Sequence, residues 1–162
     1  MLFPIANSHH PTYPSRQSRG RCRSVDKVDK RTLKRFDESL RRCNSNPDFL
    51  DRFYDKFLTS SPKVRKKFAH TDFVVQKRAL RASLHLMPLA AADPANGPAQ
   101  YLRDLAVRHS QTQLNIGAEL YDLWLDSLLA TVRECDPKTS PEVEAAWEDV
   151  MMVGIQYMLK KY

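Results

Sequence analysis

The sequence predicts an all-α fold of about seven helices in one domain. Three observations carry this. Apolar residues recur at three- and four-residue steps through nearly all of residues 30–162, and no stretch alternates convincingly as a strand would. Only four glycines occur in 162 residues, too few for a turn-rich β fold or for glycine-rich phosphate loops. Hydrophobic residues make up 42 %, enough to build a core at one-domain length.

The elements follow in order. In "RTLKRFDESLRRC", Leu33, Phe36, Leu40 and Cys43 form one stripe. "NPDFLDRFYDKFL" begins with Asn46 as a cap and Pro47 at the first helical position, and Phe49, Leu50, Phe53, Tyr54, Phe57 and Leu58 are its apolar residues. "SSPKVRKKF" repeats the cap-and-proline signal at Ser61 and Pro62 and predicts a short helix. Thr71 is placed as the cap of "DFVVQKRALRASLHLM", and Pro88 marks the expected end of that helix, give or take a turn. "LAAADPANGPAQ" reads as a loop, and "YLRDLAVRH" as a helix of two to three turns ending near His109. "IGAELYDLWLDSLLATVREC" is a long helix with Ile116, Leu120, Leu123, Trp124, Ser127 and Leu128 on one stripe. "DPKTSP" interrupts the chain. Ser140 and Pro141 then start a last helix, with Glu142 at the positive end of its dipole and Val143, Trp147, Val150, Met151, Gly154, Ile155 and Met158 as the buried stripe.

Charge limits the function classes. The net charge is +7, but residues 1–31 hold seven basic and two acidic side chains and so account for +5 of it. A specific nucleic-acid partner would then rest on a tail and not on a folded face, and none is expected. Residues 1–29 read as a disordered basic N-terminal extension, with turn residues and no period. Its arginines and serines leave an organellar transit peptide open, and His9 and His10 could bind a stray metal. No apolar run reaches membrane-span length, so no membrane partner is expected. Cys22, Cys43 and Cys135 cannot all pair and have no CxxC spacing, which favours a reducing compartment, the cytoplasm, and structural thiols.

His109 is the residue that asks for chemistry. Read alone, it is equally a charge partner for the end of its helix. As a metal ligand it would need three more protein ligands in a cage, but no other protein ligand if a porphyrin supplies four nitrogens. Its second ring nitrogen would need an acceptor, and the carbonyl of Leu105, one turn earlier, is the natural one. Phe68, Leu80, Leu84, Leu102, Leu105 and Leu123 could wall a flat apolar slot, with Lys77, Arg81 and Arg108 as cations at its mouth. His85, two and a half turns after Gln76, should face away from such a site; His70 could approach it only if the next helix unwound at its start. Trp124 and Trp147 read as helix-packing residues.

An all-α body with a short histidine-bearing helix before a long C-terminal hairpin allows a helical bundle or a globin arrangement. The segment "FYDKFLTSSPKVRKKF" resembles the second and third helices of bacterial globins, and "LLATVRE" and "AWEDV" are similar to segments of their last two helices. The resemblance spans Lys30 to Tyr162 and is nearest in kind to the haem domain of flavohaemoglobins; it identifies residues 30–162 as a bacterial single-domain haemoglobin of the globin superfamily. It implies a globin fold around a haem pocket, with haem b and its iron as cofactor. It makes His109 the proximal iron ligand, Phe68 the phenylalanine stacked on the porphyrin, and Leu80 a distal apolar contact. Tyr121 corresponds to a tyrosine on the proximal side. Tyr54 and Gln76 become the distal hydrogen-bond donors.

The implied ligands are O2, NO and CO at a five-coordinate iron. Two distal donors would favour tight O2 retention and suit NO detoxification or peroxidase-like chemistry more than O2 transport. The sequence ends at Tyr162 without the reductase module of flavohaemoglobins, so an external electron donor is expected. It also lacks their acidic residue at the end of the last helix, which implies a less imidazolate-like histidine. The spacing from the third helix to Gln76 is slightly shorter than in that family, and that from His109 to Tyr121 slightly longer. A haem-based gas or redox sensor acting through a partner is the alternative, and either a monomer or a homodimer fits.

Overall fold

The computed structural model describes residues 27–93, 99–110 and 116–161. The expectations for His9, His10, Cys22 and Tyr162 lie outside these residues. Seven helices are present among the described residues: α1 (Lys30–Asn44), α2 (Phe49–Ser60), α3 (Pro62–Lys67), α4 (Phe73–Ala92), α5 (Ala99–His109), α6 (Ala118–Cys135) and α7 (Pro141–Leu159).

Capping decides most of the boundaries. Asp29 starts α1 by accepting from the backbone N–H groups of Arg31 and Thr32, at 2.8 and 3.1 Å. Ser61 caps α3 and Ser140 caps α7, each followed by proline at the first helical position, as the sequence predicts. Two caps differ from expectation. Asn46 does not cap α2. Its side-chain oxygen accepts from Asp48 N–H at 3.0 Å in a turn, which delays the helix to Phe49. Asp72, not Thr71, caps α4 by accepting from Val74 and Val75 N–H.

Pro88 does not end α4, which runs on to Ala92. Proline removes one helical hydrogen bond. Here packing outweighs that loss: Pro88, Ala90 and Ala91 are buried, and Ala91 O accepts the Val28 N–H at 3.0 Å. Leu89–Ala92 of the predicted loop are therefore helical, as are Ala99 and Gln100, and its residues 94–98 lie outside the described ones.

The helices pack around two connected centres. α2 lies against α6, and α1 and α4 lie against α7. Trp147 on α7 is fully buried between Phe36 and Phe49, with ring centroids 4.6 and 6.3 Å away. Such aromatic pairs contribute about 0.5–1.5 kcal/mol each beyond the area they bury. The predicted stripe of α7 is buried at every position. In α6 the predicted stripe is buried at Leu120, Ser127 and Leu128 but only half-buried at Leu123 and Trp124, Ile116 lies before the helix, and Tyr121, Leu125, Leu129 and Val132 are buried in addition.

A polar hub closes this lower core. Asp136, at the end of α6, is 2 % exposed and accepts from Arg42 Nε at 2.6 Å and a second guanidinium nitrogen at 2.8 Å. It also accepts from Ser39 Oγ at 2.5 Å, while Ser39 accepts from Trp147 Nε1 at 2.9 Å. One carboxylate thereby ties α1, α6 and α7 together. Burial pushes the Asp136 pKa up, but the hydrogen bonds from Arg42, Ser39 and the Lys138 N–H outweigh it and hold the carboxyl below its ordinary range. Beside it, burial pushes the Cys43 thiol up to about 12, which keeps it protonated and unreactive.

Candidate functional site

The second centre is hollow. A cavity of about 280 Å³ opens between α4 and α5, floored by α6 and α7. Its walls include Tyr54, Phe68, Gln76, Leu80, Leu105, His109 and Tyr121, so the structure brings together the residues to which the family resemblance gives a role, and Leu105 with them. Leu84 and Arg108 line it as well.

On one side stands His109, at the last turn of α5. Its Nδ1 lies 2.8 Å from Leu105 O, the partner the one-turn spacing predicts. A carbonyl only accepts, so Nδ1 carries the hydrogen and Nε2 keeps its lone pair. Burial lowers the imidazole pKa, and the Arg108 cation lowers it further, against the backbone bond to Leu105. The ring is therefore a neutral donor. Tyr121 stacks beside it with centroids 6.2 Å apart and planes 28° from parallel. The Tyr121 hydroxyl donates to Met158 Sδ at 3.6 Å.

The opposite side is built by α2 and the start of α4. Tyr54 is 5 % exposed, in edge contact with Phe53 at 4.9 Å and Phe73 at 5.2 Å. Burial pushes its phenol up to about 12, opposed by a hydrogen bond with the Gln76 side chain. The phenol is thus locked in its protonated, donor-capable form. Phe68 closes the corner, 5.6 Å from Phe57 and 6.1 Å from Tyr54.

Several expectations need correction. Leu102 is buried and Leu123 packs against the core, but neither lines the cavity. Lys77 and Arg81 turn away from it: they share the α4 face that meets α2, where Lys77 pairs with Asp51 at 2.5 Å. Lys67, at the end of α3, lines the cavity in their place. Trp124 packs on Phe53 as expected and also lines the cavity. His85 faces α1 from an exposed position, away from the cavity, and His70 is exposed.

Other lining residues escaped the sequence reading. Ser83 and Met87 continue the α4 wall, and Met151, Gly154 and Ile155 form the floor. The i+3 and i+4 steps beyond Leu80 could have indicated Ser83, Leu84 and Met87 together. Gly154 matters for close approach. A methyl group there would come within 2.6 Å of Met87 Sδ, so the glycine seats the thioether beneath the slot.

The arrangement offers a neutral nitrogen ligand on one wall, protonated hydrogen-bond donors on the other, and an apolar crevice between them. A planar macrocycle carrying a metal fits this donor set. No helix among the described residues is long and apolar enough to cross a membrane.

Comparison with known proteins agrees with this geometry. The globin family model matches residues 51–158. A crystal structure of a protein from Pseudomonas aeruginosa PAO1, described as structurally highly homologous to a human hemoglobin, is similar with a TM-score of 0.76. It is 41 % identical, and the match covers 81 % of this chain and 98 % of that one. No curated protein matches. A hollow between α4 and α5 with an imidazole on one wall, a family match over most of the helical body and a haemoglobin-like relative lead to one assignment: the chain belongs to the globin family.

Proposed function

We propose that residues 30–162 form a haem-binding globin domain that holds haem b with His109 as the iron's proximal ligand and receives a diatomic gas, O2, NO or CO, on the side of Tyr54 and Gln76. The single observation that carries this is His109 itself: it lines the cavity with Nδ1 committed to Leu105 O and Nε2 left as the free ligand nitrogen. When bound, the porphyrin iron would supply an open coordination position and one-electron chemistry.

The chain's residues do the rest. The Leu105 carbonyl fixes the tautomer and rotation of His109 and raises the ring's basicity. Phe68, Leu80 and Leu105 exclude water and hold a flat ring by apolar contact. Lys67 and Arg108 are the cations that line the slot, suited to carboxylates carried by the ring. Tyr54 O–H and Gln76 stand on the distal wall, where they would donate to a gas ligand that gains negative charge.

These donors favour retention of O2 and reaction with NO over rapid exchange. A hydrogen bond to a charged acceptor contributes about 1.5–3 kcal/mol. Tyr54→Phe is therefore expected to speed O2 release by roughly 10- to 100-fold, read by stopped-flow displacement with CO. An unchanged release rate would remove the distal role assigned to Tyr54.

Turnover against NO would need an external electron donor. The surface beside the slot favours one with an acidic face. Residues 27–162 hold 22 basic and 18 acidic side chains, and α3 alone contributes Lys63, Arg65, Lys66 and Lys67 with no acid. The whole net charge of that body thus equals the charge of α3, which ends at the cavity residues Lys67 and Phe68.

A further inference from the structure

The two walls of the slot are joined by a side-chain hydrogen bond between Ser83 on α4 and Tyr101 on α5. Its direction can be assigned. Ser83 Oγ lies 3.0 Å from Ala79 O, a carbonyl that only accepts, so the single hydroxyl hydrogen of Ser83 is spent there. The phenol O–H of Tyr101 is then the donor, and Ser83 Oγ the acceptor.

The place of this bond is what gives it consequence. Ser83 lines the cavity on the same α4 wall as Gln76, Leu80 and Leu84. Tyr101, Leu105 and Arg108 follow one another at steps of four and three on α5, so the phenol shares a face with the residue whose carbonyl orients His109. α5 is the less anchored wall. It packs chiefly on α7 and is eleven residues long. A short helix held along one side can shift as a rigid rod, and a shift at Tyr101 carries Leu105 and His109 with it.

Resting on the haem reading above, we infer that Tyr101 is a positioning residue. Through Ser83 it fixes the separation of α4 and α5, and so sets how closely the His109 imidazole reaches a ring metal held in the slot. Tyr101 touches neither the metal nor the gas in this assignment. Removing its hydroxyl loosens the proximal wall while leaving every side chain that lines the slot chemically unchanged.

The test compares wild type, Tyr101→Phe, Ser83→Ala, Ser83→Thr and the Tyr101→Phe/Ser83→Ala double variant. Hemin transfer to an excess of apomyoglobin gives the rate of cofactor loss. Resonance Raman of the ferrous protein gives the iron–histidine stretching band. Hydrogen exchange of the α5 amides is followed in the chain without hemin. Tyr101→Phe and Ser83→Ala are each expected to speed hemin loss by roughly fivefold to tenfold, to shift or broaden the iron–histidine band, and to raise α5 exchange. The double variant should match either single variant, because both remove the same bond. Ser83→Thr, which keeps the hydroxyl, should behave as wild type. An unshifted band together with unchanged hemin loss in Tyr101→Phe overturns the inference. So does a double variant whose effects are the sum of the two single ones. Wild-type protein that takes up no hemin overturns the underlying haem reading instead, and unaltered α5 exchange in Tyr101→Phe overturns the clamp independently of hemin.

Discussion

Replacing His109 with glycine is expected to weaken hemin binding by more than about 100-fold, because loss of an outer-shell partner alone typically costs 10- to 100-fold and here the proposed ligand itself is removed. The apolar walls stay intact, so residual hemin should bind loosely and without a defined axial bond. Adding imidazole to the His109→Gly protein should restore much of the wild-type spectrum, since the small molecule can occupy the space the side chain leaves. His109 contributes no core packing on the scale of Trp147 or Phe36, and the apo form of the variant should keep its helical circular dichroism. A variant that binds hemin as tightly as wild type, with the same spectrum, would show that another group holds the iron.

The second large effect falls on stability and far from the slot. Asp136→Ala removes the acceptor that joins Arg42, Ser39 and, through Ser39, Trp147. Breaking a buried ion pair from one side costs about 3–5 kcal/mol. The lower end applies here, about 3 kcal/mol, because the Arg42 side chain keeps 25 % of its surface exposed and can recover some water. Urea denaturation of the apo chain should show a lower midpoint at unchanged slope. Asp136→Asn, which retains an acceptor oxygen but no charge, should fall between. A midpoint equal to wild type for Asp136→Ala would mean that the hub adds nothing to the fold.

The same residue gives a pH signature. The folded carboxyl is held below its unfolded value, so its stabilisation is complete above the unfolded pKa of about 4 and drains away as pH falls through the folded one. The stability difference between wild type and Asp136→Asn should therefore be constant near neutral pH and shrink in acid below pH of about 4. A difference that held constant down to the acid transition would assign the stabilisation to something other than that charge.

Much of this molecule could be read from short-range patterns. Ser61–Pro62 and Ser140–Pro141 start helices because a hydroxyl and a fixed φ satisfy local requirements whatever surrounds them. The bond from His109 to Leu105 O follows from one helical turn. The members of the slot sit on helices whose buried faces the apolar period reveals. What the sequence hid depends on distant partners. Pro88 stays inside α4 because α1 and α7 cover that turn, and a penalty known only locally was outweighed by packing. Lys77 and Arg81 point to α2 instead of the slot because the rotation of α4 about its axis is set by which face its neighbours bury. The Asp136 hub joins residues 94 and 97 positions apart, beyond any periodic signal, and an aspartate after a helix reads simply as a turn former. Ser83 and Tyr101 lie on separate helices, each an ordinary polar residue until the fold faces them together.

The most direct measurement is a hemin titration of the purified apo chain followed by absorption, first ferric, then reduced with dithionite, then exposed to CO. A one-to-one endpoint is expected, with a sharp Soret band that moves on reduction and again on CO binding, as a single imidazole on one side and an open position on the other require. A broad band indistinguishable from free hemin at every stage, with no endpoint, would contradict the assignment of His109 and the cavity beside it.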